Sequence, residues 1–150
     1  RVRAMEYTIA ADDGGNPSIL KDADVVLVGV SRTCKTPLCM YLAQRGIMAA
    51  NVPLVPGLDP PPELFEIPPS RIIGLTISPS FLAEIRFRRM AMMGLAPSDT
   101  AYVSRVEILK EIEYSSCIIR SLCAAEVDVS GRALEETAQE ILNLIGHDMR

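Results

Sequence analysis

Asp24-Val25-Val26-Leu27-Val28-Gly29-Val30-Ser31-Arg32-Thr33-Cys34-Lys35-Thr36 is the stretch of sequence that decides the fold. Residues 24–30 are almost all apolar and mostly β-branched, a pattern typical of a strand buried on both faces in a parallel sheet. Residues 36–45 then place Leu38, Tyr41 and Leu42 at helical spacing, and Gly46 is a helix stop signal. Because the apolar stretch 47–55 returns as a strand, the region predicts a β-α-β unit.

The rest of the chain continues to alternate strands with helices. We predict a helix end at residues 1–10, strands over 71–77 and 126–130, and helices over 80–93, 103–122 and 132–145. Ser78 and Pro79 suit the N-cap and first turn of the helix over 80–93. Seven prolines between residues 53 and 69 predict a stiff surface connection that contains no helix. The alternation predicts an α/β fold, with a parallel sheet flanked by helices, and the loop over residues 29–36 makes the predicted fold P-loop kinase-like.

Length and composition indicate a single soluble domain. The 150 residues are 49% hydrophobic and 23% charged, and no apolar run approaches the roughly 20 residues that a membrane-spanning helix needs. We expect residues 1–20 to be the end of a preceding helix and a linker, and residues 21–150 to form a P-loop phosphotransferase domain. The net charge of -4 gives no general attraction to nucleic acid, so we expect no nucleic acid as a partner, and the lack of a long apolar run predicts no membrane partner.

Residues 29–36 follow the phosphate-loop pattern G-x-x-x-x-G-K-[ST], except that Cys34 stands at the second glycine. Such a loop points successive backbone N–H groups at one centre, beside the N-terminus of a helix. Lys35 would hold the terminal phosphates of a nucleotide, and Thr36 would reach Mg²⁺ bound with that nucleotide. A chance match in an ordinary strand-to-helix turn is the alternative, but the strand before the motif and the helix after it argue for a nucleotide site. The predicted binding residues are Gly29, Val30, Ser31, Arg32, Thr33, Cys34, Lys35 and Thr36.

Longer stretches of the chain resemble a known family. The matching segments are Gly29-Val30-Ser31-Arg32-Thr33, Lys35-Thr36-Pro37-Leu38, Ala50-Asn51-Val52-Pro53, Gly74-Leu75-Thr76-Ile77 and Val127-Asp128-Val129-Ser130-Gly131-Arg132. They resemble the pyruvate, phosphate dikinase regulatory protein family of plants, together with its bacterial relatives that regulate phosphoenolpyruvate synthase. The resemblance covers nearly the whole chain and is far more specific than a phosphate loop alone.

The resemblance implies a bifunctional enzyme. Such an enzyme uses ADP to phosphorylate a threonine of pyruvate, phosphate dikinase, which inactivates it, and uses inorganic phosphate to remove the phosphoryl group, releasing pyrophosphate. ADP, Mg²⁺ and inorganic phosphate are then the expected ligands, and the dikinase is the expected protein partner. Cys34 and Cys39 resemble the plant members, which implies the chloroplast stroma; a bacterial cytoplasm is the alternative.

Asp128 is the candidate proton acceptor for the threonine hydroxyl. It ends a predicted buried strand, just before a turn and a helix, where catalytic groups of α/β proteins commonly lie. Capping of the last helix is the alternative role, and Ser130 could fill it instead. Asp24 and Asp59 are weaker candidates, because they lie at the start of a strand and in the proline-rich segment.

Four arginines are candidates for holding a second phosphate group or the phosphothreonine. Arg86, Arg88 and Arg89 share the helix over 80–93, and Arg132 is the first residue of the last predicted helix. Guanidinium groups bind phosphate oxygens in a bidentate manner, which suits that role. The alternative is that the three helical arginines form an ordinary solvated face.

Two other functions remain open from the sequence. One is an ATP-dependent small-molecule P-loop kinase, which needs no protein substrate. The other is a non-catalytic nucleotide sensor that binds a partner through the helix over 103–122. Whichever function holds, the sequence also leaves a homodimer open.

Overall fold

Five α-helices and four strands account for most of residues 2–12, 17–30, 33, 35–94 and 105–146, which the computed structural model describes. The helices are α1 Val2–Ala10, α2 Lys35–Ala43, α3 Pro79–Met92, α4 Arg105–Ser121 and α5 Leu134–Ile145. The strands are β1 Val25–Gly29, β2 Ala49–Pro53, β3 Ile72–Thr76 and β4 Ala125–Asp128. Every one of these elements falls on a segment for which the sequence predicts that type of structure.

The four strands form one parallel sheet in the order β2-β1-β3-β4. Gly29 at the end of β1 is opposite Pro53 of β2, and Asp128 at the end of β4 is opposite Thr76 of β3. The chain passes from β1 to β2 on one side and then returns to β3 on the other side of β1. The carboxyl end of β1 therefore lies where the strand order reverses, which is the usual ligand position in open α/β sheets. The predicted α/β fold is confirmed.

Apolar side chains cover both faces of the sheet. Val25 and Leu27 of β1 belong to a buried cluster that α2 and α5 complete, whereas Val26 and Val28 belong to a second cluster on the other face. Ile119 of α4 is fully buried in that second cluster. A strand buried on both faces loses the polar-apolar alternation of a surface strand, which explains the uninterrupted apolar run in the sequence.

A glycine lets α4 approach β3 closely. A Cβ atom at Gly74 would lie 2.5 Å from Cγ2 of Ile119, closer than real Cβ contacts come. The side chain of Ile119 occupies that space, so a larger residue at position 74 would have to displace that side chain or α4.

The predicted signals at two helix ends are confirmed. The Oγ of Ser78 accepts a hydrogen bond from the backbone N–H of Phe81, and Pro79 lies in the first turn of α3. After α2, Gly46 has a φ of +83° and its N–H donates to the carbonyl oxygen of Ala43. This left-handed conformation is the reason that glycine ends the helix.

The proline-rich segment differs from its prediction. Short 3₁₀ turns form at Pro62–Glu66 and Pro69–Arg71, and Leu64 is fully buried in the core. Proline is tolerated in a first helical turn because its missing N–H is not needed there. The expectation of a helix-free surface connection is therefore wrong for this part, where Leu64 anchors the segment to the domain.

The helix α1 packs against α2 and β2. Its Tyr7 is buried, and the hydroxyl donates to the carbonyl oxygen of Ile19 at 2.6 Å. Burial, with the nearby Asp22 and Asp24 carboxylates, raises the pKa of Tyr7 well above its usual value. The helix thus shares the core of the sheet, while the domain boundary predicted at residue 20 stays a prediction.

Candidate functional site

The ammonium group of Lys35 lies inside the loop that follows β1. Lys35 is the first residue of α2, and only 5% of it is exposed. Its Nζ donates to the carbonyl oxygen of Val30 at 2.6 Å and contacts Oγ1 of Thr33 at 3.3 Å. The Thr33 hydroxyl also donates to the Val30 oxygen, at 2.8 Å. A buried cation therefore adds to the partial positive charge of a helix N-terminus, which is favourable for an anion.

Glycine is required at the start of the loop. A Cβ atom at Gly29 would lie 2.8 Å from the backbone oxygen of Leu75 on β3. The first position of the phosphate-loop pattern thus has a steric role that the pattern itself does not reveal. Three of the predicted binding residues, Ser31, Arg32 and Cys34, lie outside the described residues.

Thr36 contacts a residue that sequence reasoning missed. Its hydroxyl donates to Oδ1 of Asp12 at 2.8 Å, and the amide Nδ2 of Asn51 donates to the same oxygen at 2.7 Å. Asn51 is fully buried in β2, whereas Thr36 is exposed. A lone asparagine within an otherwise apolar strand was the available signal, because a buried amide needs polar partners. That signal does not identify the partner.

Asp128 lies at the same edge of the sheet as the loop. It is exposed, and strands spaced about 4.8 Å apart put the end of β4 roughly 10 Å from the end of β1. Its Oδ1 accepts a hydrogen bond from the N–H of Ser130 at 2.8 Å. The carboxylate thus has an exposed position on the edge of the sheet at which β1 and the loop meet.

Neither residue proposed as a cap of the last helix has that role. Ser130 Oγ accepts from the N–H of Ser78 instead, which ties the loop after β4 to the start of α3. The N-cap of α5 is Ala133, whose N–H donates to the carboxylate of Glu136. The alternative role of capping the last helix is wrong for both residues, because α5 begins later than expected, with Ala133 as its N-cap.

The four candidate arginines have different surroundings. Arg86 is 1% exposed and pairs with Glu111 of α4 at 2.6 Å, so the solvated-face interpretation is wrong for it. Arg88 is exposed and pairs with Glu84 one turn earlier, and Arg89 is also exposed. Arg132 pairs with Glu140 and donates to the backbone oxygen of Asp128 at 3.2 Å. The hydrogen bond that Arg132 donates to the carboxylate of Glu140 raises the pKa of Arg132.

A large open groove runs along α5, away from the loop. It has a volume of about 580 Å³ and is lined by Arg132, Glu135, Glu136, Gln139, Glu140 and Asn143. Three glutamates in this groove repel phosphate groups, whereas Lys35 and the N-terminus of α2 attract them. The surroundings of Lys35 are therefore electrostatically more favourable for an anion than the groove along α5. Within the described residues, no group of three His, Cys, Asp or Glu side chains is arranged to hold a metal ion.

A family model described as kinase/pyrophosphorylase matches residues 1–142. The chain belongs to the kinase/pyrophosphorylase family. The match includes the whole sheet, the loop around Lys35 and the Asp128 edge.

Curated members of the kinase/pyrophosphorylase family are similar to this chain. A relative from Carboxydothermus hydrogenoformans is 52% identical over 145 residues, which is 96% of this chain and 52% of the relative. Relatives from Desulfitobacterium hafniense and Clostridium perfringens are 47% and 48% identical over 97% of this chain. All three are named, provisionally, as pyruvate, phosphate dikinase regulatory proteins. The chain spans about half the length of the curated relatives it matches.

These three relatives are bacterial, which gives no support to the chloroplast assignment. The resemblance of Cys34 and Cys39 to plant members was therefore a poor guide to the source, since two cysteines are few beside the identity over the whole chain. None of the helices in the described part of the chain is long and apolar enough to span a bilayer.

Proposed function

We propose that this chain carries the nucleotide-binding part of a bifunctional enzyme that acts on pyruvate, phosphate dikinase. In the forward reaction, a threonine oxygen of the dikinase attacks the β-phosphorus of ADP, the bond to the bridging oxygen breaks, and AMP leaves. In the reverse reaction, an oxygen of inorganic phosphate attacks the phosphorus of phosphothreonine. The threonine oxygen leaves and takes up a proton, and pyrophosphate is released. Family membership and the names of the relatives support this assignment.

The buried ammonium of Lys35 is the observation that carries the proposal. It lies at the N-terminus of α2, within hydrogen-bonding distance of the loop oxygens of Val30 and Thr33. Both reactions must place the phosphates of ADP or inorganic phosphate in one positive cradle, because phosphoryl transfer depends on stabilising the charge of the transferred group. Lys35 supplies the fixed charge, and the phosphate-loop pattern predicts that backbone N–H groups of residues 32–35 would supply the hydrogen bonds.

The oxygen atoms near Thr36 fit Mg²⁺. The Thr36 hydroxyl and the Asp12 carboxylate are hard oxygen donors 2.8 Å apart, the type that Mg²⁺ prefers. Thr36 would hold an ion that arrives with the nucleotide, and the ion would neutralise charge on the phosphates. Without a cation, a carboxylate so close to the cradle would repel them.

Asp128 is the proposed proton acceptor. Its exposed carboxylate lies about two strand spacings from the end of β1, which leaves room for the transferred phosphoryl group and the incoming threonine. Arg132, whose guanidinium lies next to the Asp128 backbone, is the nearest candidate for the phosphothreonine. Arg88 and Arg89 are exposed and could reach a protein substrate, whereas a phosphate at Arg86 would have to displace Glu111.

Phosphorylation of the dikinase by the full-length protein tests the proposal. The two proteins are incubated with ADP and threonine phosphorylation is followed, after which inorganic phosphate is added and pyrophosphate is measured. We expect phosphothreonine and AMP in the first step and pyrophosphate in the second. Turnover with ATP in the absence of the dikinase would instead indicate a small-molecule kinase. Tight ADP binding without transfer in any preparation would indicate a nucleotide sensor.

A further inference from the structure

We infer that Asp12 is a positioning residue for metal-bound nucleotide, because it orients the hydroxyl of Thr36. The role depends on the proposed function, in which the loop binds ADP together with Mg²⁺. Asp12 precedes β1, so it does not correspond to the strand-end carboxylate that the sequence suggested, Asp128.

One oxygen atom of Asp12 joins three parts of the fold. Oδ1 accepts from the Thr36 hydroxyl at the start of α2 and from the Asn51 amide in β2. Asn51 has no exposed surface, and its position is fixed by the pairing of β2 with β1. A rigid strand thus holds the carboxylate, and the carboxylate holds the hydroxyl. Supporting hydrogen bonds of this kind usually determine how a metal ligand is oriented.

The direction of the hydrogen bond prepares Thr36 for a cation. A hydroxyl has one proton to donate and two lone pairs with which to accept. Because Thr36 gives its proton to Asp12, the lone pairs of its oxygen remain available for a metal ion. A hydroxyl without this acceptor could rotate and turn its proton toward the ion, which would weaken the contact.

The charge of Asp12 adds a second effect. A carboxylate next to the phosphate cradle disfavours a bare nucleotide, since like charges repel, but attracts a divalent cation. Asp12 should therefore favour Mg²⁺-ADP over free ADP. A purely structural link between α1 and β2 would not distinguish the two forms of the nucleotide.

Binding of ADP to the full-length protein, measured calorimetrically with Mg²⁺ and again with EDTA, tests this inference. We expect Asp12→Asn to reduce the preference for Mg²⁺-ADP about 10- to 100-fold, the range seen when a supporting partner of a metal ligand is lost. Affinity in EDTA should stay equal or rise. Thr36→Val should lower the preference similarly, and Asp12→Asn should lower it less in the Thr36→Val background than in the wild type, because without the Thr36 hydroxyl only the effect of the Asp12 charge remains to be lost.

Asp24→Asn is the matched control. Asp24 lies at the opposite end of β1 and accepts a hydrogen bond from the N–H of Met48 at 2.8 Å, so its loss removes the same charge away from the site. The control should keep the wild-type preference for Mg²⁺-ADP. Should Asp12→Asn fail to fold, Asp12→Glu keeps the charge but displaces the carboxylate by one methylene, and it must still lower the preference.

Equal losses of affinity with Mg²⁺ and with EDTA would overturn the inference and assign Asp12 a structural role. Independent, multiplying losses for Asp12→Asn and Thr36→Val would overturn it too. A wild-type protein that binds no ADP under either condition would instead reject the nucleotide site itself. Wild-type binding with an Mg²⁺ preference that Asp12→Asn leaves intact would reject only the role of Asp12.

Discussion

The Nζ atom of Lys35 lies 2.6 Å from the carbonyl oxygen of Val30. This hydrogen bond joins the first residue of α2 to the residue that follows β1. The ammonium is buried before any anion binds, and its hydration has already been replaced by loop oxygens. A phosphate group that enters can take the place of these oxygens as the partner of Nζ. The arrangement is preorganised for negative charge, which is the property that phosphoryl transfer requires.

Lys35→Ala should abolish transfer in both directions. Removing one preorganised charge typically costs at least about two orders of magnitude in rate. ADP-dependent phosphorylation and phosphate-dependent release of pyrophosphate should fall together, and Lys35→Met, which retains much of the packing, should behave the same way. Lys110→Ala, which removes an exposed lysine paired with Glu107, is the control. Survival of either reaction near the wild-type rate would require a second phosphate site.

Asp128→Asn should preserve ADP affinity and lower turnover by about two to four orders of magnitude, as expected when a positioned proton acceptor is lost. Binding is measured by calorimetry and turnover by phosphothreonine formation. Glu126→Gln, an exposed carboxylate two residues earlier on β4, should leave turnover unchanged. Weakened folding with normal turnover per folded molecule would show that Asp128 has only a structural role.

A thiol reagent at neutral pH should label Cys34 first, and ADP with Mg²⁺ should slow that labelling in proportion to occupancy. Cys34 directly precedes Lys35, the first residue of α2, and thiols near helix N-termini and lysines are in general the more reactive ones. Peptide mapping with and without ADP measures the effect. Cys117 and Cys123 are exposed internal references whose labelling ADP should not change. Equal labelling of Cys34 under both conditions would place the nucleotide elsewhere.

Gly74→Ala should destabilise the domain by about 1–3 kcal/mol, the usual cost of adding a methyl group to a packed core. The new Cβ would meet Ile119 at 2.5 Å. Chemical denaturation measures the free energy of unfolding. Ile119→Ala removes the obstructing side chain, so the double variant should lose less stability than the two single losses combined. Additive losses would mean that the side chains at positions 74 and 119 do not interact.

Glu111→Gln should cost up to about 3 kcal/mol in the free energy of unfolding, because it leaves the buried guanidinium of Arg86 without its carboxylate. Glu84→Gln removes the exposed partner of Arg88 on the same helix and should cost no more than about 0.5 kcal/mol. Denaturation of both variants under the same conditions gives the comparison. Similar small losses would show that Arg86 is stabilised mainly by other contacts.

Local signals were sufficient to predict the helices, the strands and the position of the loop. The prediction failed around Leu64, because proline stops a long helix but permits a single turn. Burial of Leu64 then holds this segment against the domain. The expectation of a solvated helix face failed at Arg86 for a related reason. Helical spacing places it beside Arg89, yet packing of α3 against α4 buries Arg86 and leaves Arg89 exposed.

By itself the sequence determined that a buried strand is followed by a loop that begins with glycine and then by a helix that starts near Lys35 and Thr36. Hydrophobic periodicity and glycine placement act over a few residues, so the local sequence is enough to predict this order. Only the tertiary structure decided that β1 lies at the reversal of strand order and that Asp12 meets Thr36 and Asn51. Apolar periodicity records which side of an element is buried, but not which element covers it. Asp12 is 24 positions from Thr36 and 39 positions from Asn51 in the chain. Its contacts with them depend on which elements pack together, so they form only when the whole sheet assembles.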